Sequence, residues 1–484
     1  MDADQIRQLK PRLTRFVARF DDCFDRKDTR VHLPVYVEGQ LSDLGRKSVE
    51  PIALKAGVPV RTLQEFLGQY RWDHGRLRQR LQTIVTTEHA SPRSIGIIDE
   101  TSFVKKGDQT PGVQRQHCGA VGKQENCIVT VHLGYAADDF HCLLDGELFV
   151  PEQWSADRER CRAARIPDEV VYRPKADIAL ELYDRARAAG IAFEWLTFDE
   201  WYGSKPQFLR ALNQRGQKFV GEVHKHLVAW IEPPSLTHRP YHKGRRGRGR
   251  QTPRLRAGSR KPRFVEDLLK YNPALRDRPW RRWRVKDGDQ GPLIWEVKHA
   301  MIHVKDEAGL PERPYHLLVA RNVLHPEEVK YFISNAPPGT SVQKLLLVAF
   351  SRWRIERCFE DGKGEVGLDH YEGRRYVGLQ RHLIISAISY LFLAQVRHEL
   401  AEKKSRADRV PSAHGSRSGR SILVVERLRL HETVPTNGRR NPILPSPQCD
   451  CSEKSHENDQ TPAPERRNQT NPSPAVQVGQ DLAL

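Results

Sequence analysis

The pattern of hydrophobic and polar positions predicts a helical first part of the chain. Residues 1–88 carry apolar side chains at helical spacing, which indicates a helical domain. Within it, residues 49–68 have the form of a helix-turn-helix in which Gly57 supplies the turn. The side chains that its second helix would present outward are Arg61, Thr62, Gln64 and Glu65. This unit is either a DNA-binding element or an ordinary helical hairpin in a core.

From residue 94 onward, short β-branched runs alternate with amphipathic segments. The runs predict strands at 94–100, 126–136, 142–150, 192–199 and 218–223, and the amphipathic segments predict helices at 175–190 and 205–216. The resulting order, β-β-β-α-β-α-β, is typical of a mixed sheet with helices on its faces. The fold class predicted for the chain is therefore α/β.

A basic segment follows these strands. Residues 238–263 contain 11 Lys or Arg, no acidic residue and several glycines, which predicts a mobile loop or arm. Its most concentrated cations are Lys243, Arg245, Arg246, Arg248 and Arg250. Further strands are predicted at 293–304, 314–321 and 329–335, so a second strand-rich unit is inserted into the first.

The C-terminal part returns to helical periodicity. One helix is predicted from residue 342 to residue 363, and the apolar stretch 383–396 predicts a buried helix too short to span a bilayer. The last part of the chain is predicted to be disordered because it lacks aromatic residues and is rich in proline. The predicted domains are a helical domain at 1–88, the first part of a core at 89–224, a basic β-rich insertion at 225–340, the C-terminal helices of the core at 341–400, and the tail at 401–484.

Charge and cysteine content narrow the class of protein. The 484 residues include 79 Lys or Arg and 61 Asp or Glu, a formal charge of +18, which indicates a polyanionic partner. Eight cysteines are too few for a disulfide scaffold. The first residues have no apolar segment of the secretory type. We therefore expect a cytoplasmic protein that is not embedded in a membrane.

Acidic residues occupy unusual places in this pattern. Asp99 follows the apolar run 95–98, Asp199 ends a predicted strand, and Glu356 lies in a helix rich in aromatic and basic residues. Taken singly, the two aspartates are better explained as ordinary turn residues at strand ends. The first and fourth strands can lie side by side, however, and an acid on each would then converge with one from a crossing helix. Carboxylates arranged in this way hold paired Mg²⁺ ions for phosphoryl displacement.

The helix around Glu356 carries cations on the same face. Arg352, Glu356 and Lys363 have spacings of i, i+4 and i+11, which bring them within about 40° of one another at about 100° per residue. A plain surface ion pair between Arg352 and Glu356 is the simpler interpretation. Glu360 is the rival for the third acid.

These motifs resemble those of a known family. Residues 352–363 resemble the third motif of insertion-sequence DDE transposases, in the branch with the signature Tyr-x2-Arg-x3-Glu-x6-Lys. Ala349 stands at the tyrosine position of that signature. Residues 97–107 resemble the first catalytic motif, an Asp after an apolar strand, and residues 197–203 resemble the second.

The resemblance implies an RNase H-like core with a β-insertion after its fifth strand. It implies that Asp99, Asp199 and Glu356 are the metal-binding catalytic residues, with Mg²⁺ or Mn²⁺ as two ions per active site, and that Arg352 and Lys363 hold DNA phosphates. The reaction would be metal-dependent cleavage at transposon ends, followed by attack of the freed 3′-OH on target DNA. Tyr202 is not needed as a nucleophile in such a reaction.

The implied partner is double-stranded DNA. The N-terminal domain would recognise the terminal inverted repeats, the arm at 238–263 would contact backbone phosphates, and a homodimer would form in the synaptic complex. The alternatives are a catalytically inactive DNA-binding regulator and an RNase H-like nuclease without strand transfer. A zinc protein is a further alternative, with ligands drawn from His117, Cys118, Cys127 and His132, or from Cys449, Cys451 and His456.

Overall fold

The computed structural model describes residues 7–237, 253–288 and 291–408. Its first part is helical, as predicted. The helices are α1 (Leu9–Ala18), α2 (Lys27–Arg30), α3 (His32–Gln40), α4 (Val49–Ala56), α5 (Val60–Gly68) and α6 (His74–Glu88). Gly57 ends α4 in the left-handed region at φ 66°, which a residue without a Cβ adopts readily. The turn expected between α4 and α5 is present.

A mixed sheet follows the helices. Its first strands are β1 (Ile95–Val104), β2 (Gln114–Cys118), β3 (Lys123–Ala137), β4 (Phe140–Leu148), β5 (Trp195–Phe198) and β6 (Phe219–Val223). β3 pairs antiparallel with β1 and β4, whereas β1, β5 and β6 are parallel. The strand order β4-β3-β1-β5-β6 confirms the predicted α/β fold with an RNase H-like core.

Helices connect these strands. They are α7 (Glu152–Ala156), α8 (Arg158–Ala163), α9 (Lys175–Ala188), α10 (Glu200–Gly203) and α11 (Pro206–Gln214). The sequence pattern missed β2, because four of its five residues are polar and it shows no apolar alternation. It also ended the first strand too early. β1 continues to Val104, so Asp99 lies inside the strand rather than at its end.

The later strands extend the same sheet. They are β7 (Val228–Trp230), β8 (Leu236–Thr237), β9 (Arg254–Leu255), β10 (Arg263–Phe264), β11 (Arg281–Gly288), β12 (Gly291–Lys305), β13 (Pro311–Asn322) and β14 (Val329–Ser334), with helices α12 (Val265–Tyr271) and α13 (Pro273–Arg276) between them. β14 pairs antiparallel with β6, and β13 and β12 follow. Except for β8 and β9, which pair with each other, the described strands form one continuous sheet.

The C-terminal helices are α14 (Val342–Phe350), α15 (Trp353–Val366) and α16 (Tyr376–Asp408). The prediction of one helix from residue 342 to residue 363 was wrong, because a turn at Ser351 and Arg352 separates α14 from α15. α16 is longer than predicted. In the described part of the chain it is the one helix long and apolar enough to cross a membrane, but 89% of its apolar stretch is buried in the protein. It is therefore the central helix of the core, as expected.

One large hydrophobic cluster joins the N-terminal helices, a face of the sheet and α16. A second cluster lies between α14 and the sheet, around Trp195, Trp295 and Phe332. The arm cations Lys243, Arg245, Arg246, Arg248 and Arg250 lie outside the described residues, as does the tail from residue 409. Further along the predicted arm, Arg254 and Arg263 belong to short strands rather than to a loop.

Candidate active site

Asp99 and Asp199 come directly after two residues that pair with each other in the parallel strands β1 and β5. Ile98 of β1 pairs with Phe198 of β5, and each aspartate is the next residue of its chain segment. Asp99 is buried, with 7% of its surface exposed. Asp199 begins the short helix α10, where its Oδ1 accepts a hydrogen bond of 3.2 Å from the backbone N–H of Tyr202. The strand pairing expected from the sequence thus brings the two carboxylates to the same end of the paired strands β1 and β5.

Burial and neighbouring charges set the acidity of both groups. Burial is the largest effect on Asp99 and raises its pKa to about 7. The Arg352 guanidinium lowers this pKa, whereas the carboxylates of Asp199 and Glu356 raise it further. Burial is also the largest effect on Asp199 and raises its pKa. An acid with a raised pKa, close to other acids, requires a compensating cation to remain ionised.

Arg352 supplies that positive charge. It stands at the start of α15, and its Nη1 donates to Asp99 Oδ2 at 2.8 Å while its Nη2 lies 2.6 Å from Glu356 Oε1. Burial alone would lower the pKa of Arg352, but the carboxylates of Asp99 and Glu356 raise it. The side chain of Glu356 is 54% exposed. Arg352 therefore links the helix acid to the strand acid, and the i, i+4 pair with Glu356 is part of a larger network rather than a plain surface pair.

Lys363 contacts the same strand from the other end of α15. Its Nζ donates to the backbone carbonyl of Ser102 at 3.2 Å and lies over the ring of Phe103. Burial lowers the pKa of Lys363. Both cations of the third motif thus face β1, which agrees with the shared helix face expected from their spacing.

Glu360, the rival third acid, has a different partner. Its Oε2 accepts a hydrogen bond of 3.0 Å from Arg357, and its side chain is exposed. Glu356, by contrast, is among the charges that raise the pKa of Asp99. The contacts therefore favour Glu356 over Glu360 as the third acid.

Sequence reasoning missed Glu222, which belongs to the same edge of the sheet. Phe198 of β5 pairs with Gly221 of β6, so Glu222 follows that pair as Asp199 follows Phe198. The charge of Glu222 raises the pKa of Asp199, and its Oε1 accepts a hydrogen bond of 3.0 Å from Lys330. The signal in the sequence was an acid inside the otherwise apolar strand β6.

Two residues of the second motif have a packing role. Tyr202 is completely buried. Gly203 lies against β6, and a Cβ at this position would stand 1.9 Å from the carbonyl oxygen of Glu222. The short helix that begins at Asp199 therefore requires glycine at its end, because the backbone of β6 leaves no space for a side chain.

The acidic residues have the donor chemistry for a divalent cation but are not assembled around one. Within the described ranges, no group of three or more His, Cys, Asp or Glu residues is arranged to hold a metal. The guanidinium of Arg352 lies instead between the carboxylates of Asp99 and Glu356. Carboxylate oxygens are the ligands that Mg²⁺ and Mn²⁺ prefer. The residues fit such a cation provided that Arg352 moves away.

The zinc alternative gains no support. The described residues His117, Cys118, Cys127 and His132 do not form a metal-binding group. Cys118 and Cys127 instead pack with Val129 in a small buried cluster. The second set, Cys449, Cys451 and His456, lies outside the described residues.

The DNA-contact residues expected in α5 lie largely on its exposed side. Arg61 and Gln64 are exposed and Thr62 is half-buried, whereas Leu63 and Phe66 are buried. Arg61 forms an ion pair of 2.8 Å with Glu65. α5 therefore has the exposed polar side and the buried apolar side that the sequence pattern predicted.

Comparison with known proteins identifies the family. A family profile described as DDE superfamily endonuclease matches residues 19–292, more than half of the chain. The chain is also 33% identical over 200 residues to the probable transposase for insertion sequence element IS701 of Microchaete diplosiphon. That match covers 40% of this chain and 49% of the relative, so the chain spans about half the length of the relative it matches. These matches confirm the resemblance seen in the motifs, and the chain belongs to the family of DDE superfamily endonucleases.

Proposed function

We propose that this chain is the transposase of an insertion sequence, which cleaves DNA at the ends of the element and joins the freed 3′-OH to target DNA. The pairing of β1 with β5 is the single observation that carries the proposal, because Asp99 and Asp199 follow adjacent partners in it. The family match and the likeness to a probable transposase support the same reaction class.

In the proposed site, Asp99, Asp199 and Glu356 hold two divalent cations, Mg²⁺ or Mn²⁺. When bound, such ions supply an activated water and stabilise the leaving oxygen of an in-line displacement. Arg352 turns from the carboxylates to a phosphate beside the scissile bond, where its planar donors bind two phosphate oxygens. Lys363 of α15 contacts β1, the strand that carries Asp99, and offers a second positive charge to the DNA backbone.

The other parts of the chain bind DNA in this proposal. The exposed side of α5 reads the terminal inverted repeats through Arg61, Thr62 and Gln64, and the arm cations contact phosphates without reading sequence. The division into domains at 88, 224, 340 and 400 follows these roles. The protein acts in the cytoplasm, associated with the nucleoid, and pairs two ends as a homodimer.

A strand-transfer experiment tests the proposal against its alternatives. A labelled duplex carrying the end of the element, already nicked to expose its 3′-OH, is incubated with plasmid DNA, Mg²⁺ and the full chain. A transposase transfers the label to the plasmid, and Asp199→Asn removes the transfer. A nuclease without strand transfer gives no labelled plasmid, although it cuts an intact end in a parallel reaction. A regulator binds the end and does neither. Either of the last two results contradicts the proposal.

A further inference from the structure

Arg381 of α16 is a buried cation that contacts the end of α5. Its Nη1 donates to the carbonyls of Phe66 and Leu67 at 3.2 and 3.0 Å, and its Nη2 donates to those of Tyr70 and Trp72 at 2.8 and 2.5 Å. The guanidinium also lies over the ring of Trp72, at 4.2 Å from its centroid. The carbonyls of Phe66 and Leu67 belong to the last turn of α5, the helix whose exposed side carries Arg61 and Gln64, and those of Tyr70 and Trp72 belong to the segment that follows it.

Such a contact holds a helix end in one position. Carbonyls at a helix C-terminus carry the negative end of the helix dipole and have no partner within the helix. The planar guanidinium of Arg381 binds two such carbonyls, those of Phe66 and Leu67, and also two carbonyls of the segment after α5. Only 4% of the Arg381 surface is exposed, so these hydrogen bonds are shielded from solvent. Arg375 adds a hydrogen bond of 3.2 Å to the carbonyl of Gly68, the last residue of α5.

The next residue of α16, His382, contacts the end of α15, the helix that carries Glu356. His382 Nε2 lies 3.1 Å from the carbonyls of Gly367 and Leu368, which directly follow α15. Its Nδ1 lies 3.0 Å from the hydroxyl of Tyr36 in α3. Because the carbonyls accept, the neutral ring donates from Nε2 and accepts from Tyr36 at Nδ1. Two consecutive residues of α16 thus contact the end of α5 and the end of α15.

We infer that Arg381 is a positioning residue that fixes α5 at a set distance from the carboxylates carried by α15 and β1. By holding α5, it determines which phosphodiester bond reaches Asp99 and Asp199 when α5 is seated on the element's end. This inference rests on the proposed function, since it takes α5 as the helix that reads the end. It adds a determinant of the cleavage position that touches neither DNA nor cation.

The test maps the nicks made by the full chain on a duplex carrying the element's end, at single-nucleotide resolution. In Arg381→Lys, the rate of nicking at the wild-type phosphodiester is expected to fall by up to about 100-fold, the scale of a 1 Å misplacement. New nicks are expected at neighbouring bonds, with affinity for the end retained. Arg375→Ala, a milder change at a half-buried residue, is expected to shift the nick position in the same way but less.

Tyr36→Phe is the matched control, because it removes a buried hydrogen bond to α16 without touching α5. It is expected to lower the melting temperature and leave the nick position unchanged. If both Arg381→Lys and Arg375→Ala nick only at the wild-type bond, with rates that follow thermal stability as in Tyr36→Phe, the positioning role is overturned. A wild-type chain that binds the end but never nicks it overturns the proposed function itself, and the positioning role with it.

Discussion

Arg352 donates a hydrogen bond of 2.8 Å to Asp99, across the contact between α15 and β1. The same guanidinium lies 2.6 Å from Glu356, so one side chain bridges a strand acid and a helix acid. The positive charge that the buried carboxylate needs is thus provided by the protein itself. In the proposed site, a divalent cation would compete with Arg352 for the same oxygens, and a DNA phosphate that attracts Arg352 would release them.

This competition predicts the behaviour of Arg352→Gln. The variant should bind Mn²⁺ more tightly than the wild type, as measured by electron paramagnetic resonance of free Mn²⁺ without DNA, yet nick DNA more slowly. Without cation it should lose about 1–3 kcal/mol of stability, since Asp99 is left buried without its charged partner, and Mn²⁺ should restore part of the loss in a thermal melt.

Arg357→Gln is the control for this prediction, because Arg357 pairs with Glu360 and Asp361 rather than with the strand acids. It should leave Mn²⁺ affinity at the wild-type value. Equal Mn²⁺ affinity in the wild type and in Arg352→Gln would contradict the competition.

The third acid is distinguished by a pair of matched variants on one helix. Glu356→Gln should abolish nicking while end binding persists, because Glu356 belongs to the network around Asp99. Glu360→Gln should have a mild effect, because its partner is Arg357. Nicking and gel-shift assays on the same preparations measure both properties. An equal loss of nicking in the two variants would reopen the choice of the third acid.

Gly203→Ala should impair the site without touching an acid. The added Cβ would stand 1.9 Å from the backbone carbonyl of Glu222, so α10 and the Asp199 that begins it must shift away from β6. The expected cost is about 1–3 kcal/mol of stability, measured by chemical denaturation, with a loss of nicking. Gly364→Ala is the control, since nothing lies within 4 Å of its added Cβ. That helix position should tolerate alanine, and a similar loss in both variants would indicate a general intolerance of substitution.

The positions of the two strand acids could be read from the sequence because each lies beside a strong local signal. Asp99 and Asp199 follow buried apolar runs, and strand order alone suggested that their strands are neighbours. The bridge from Arg352 to Asp99 was not predictable, since it depends on how α15 crosses β1 over 253 residues of separation. The break at Ser351 was also hidden, because apolar periodicity continues on both sides of it.

Glu222 shows a second limit of the pattern. Glu222 lies next to Asp199 because β5 and β6 pair in a parallel register that periodicity does not encode. The extension of the core sheet through β14 likewise depends on long-range strand pairing. The contact of Arg381 with the end of α5 joins residues more than 300 positions apart, and nothing local in the sequence indicates it.

The arm cations provide a prediction about affinity rather than catalysis. Replacing Lys243, Arg245, Arg246, Arg248 and Arg250 with serine should weaken binding to end and non-end DNA alike. The slope of log affinity against log salt is negative, and its magnitude should decrease by about 0.9 for each DNA phosphate that the variant no longer neutralises. Fluorescence anisotropy over a range of salt concentrations measures both effects, with the exposed Arg162→Ser as a control. An unchanged slope would show that the arm does not bind the DNA backbone.

Asp99 and Asp199 are proposed to form a cation-dependent nuclease site where the pairing of β1 with β5 ends. The most direct measurement is nicking of DNA carrying the element's own ends, with Mg²⁺, with Mn²⁺ and with chelator, by the wild type and by Asp199→Asn. We expect cation-dependent nicking by the wild type and none by the variant, with equal binding of the ends. Nicking that persists in Asp199→Asn, or that proceeds in chelator, would contradict the account.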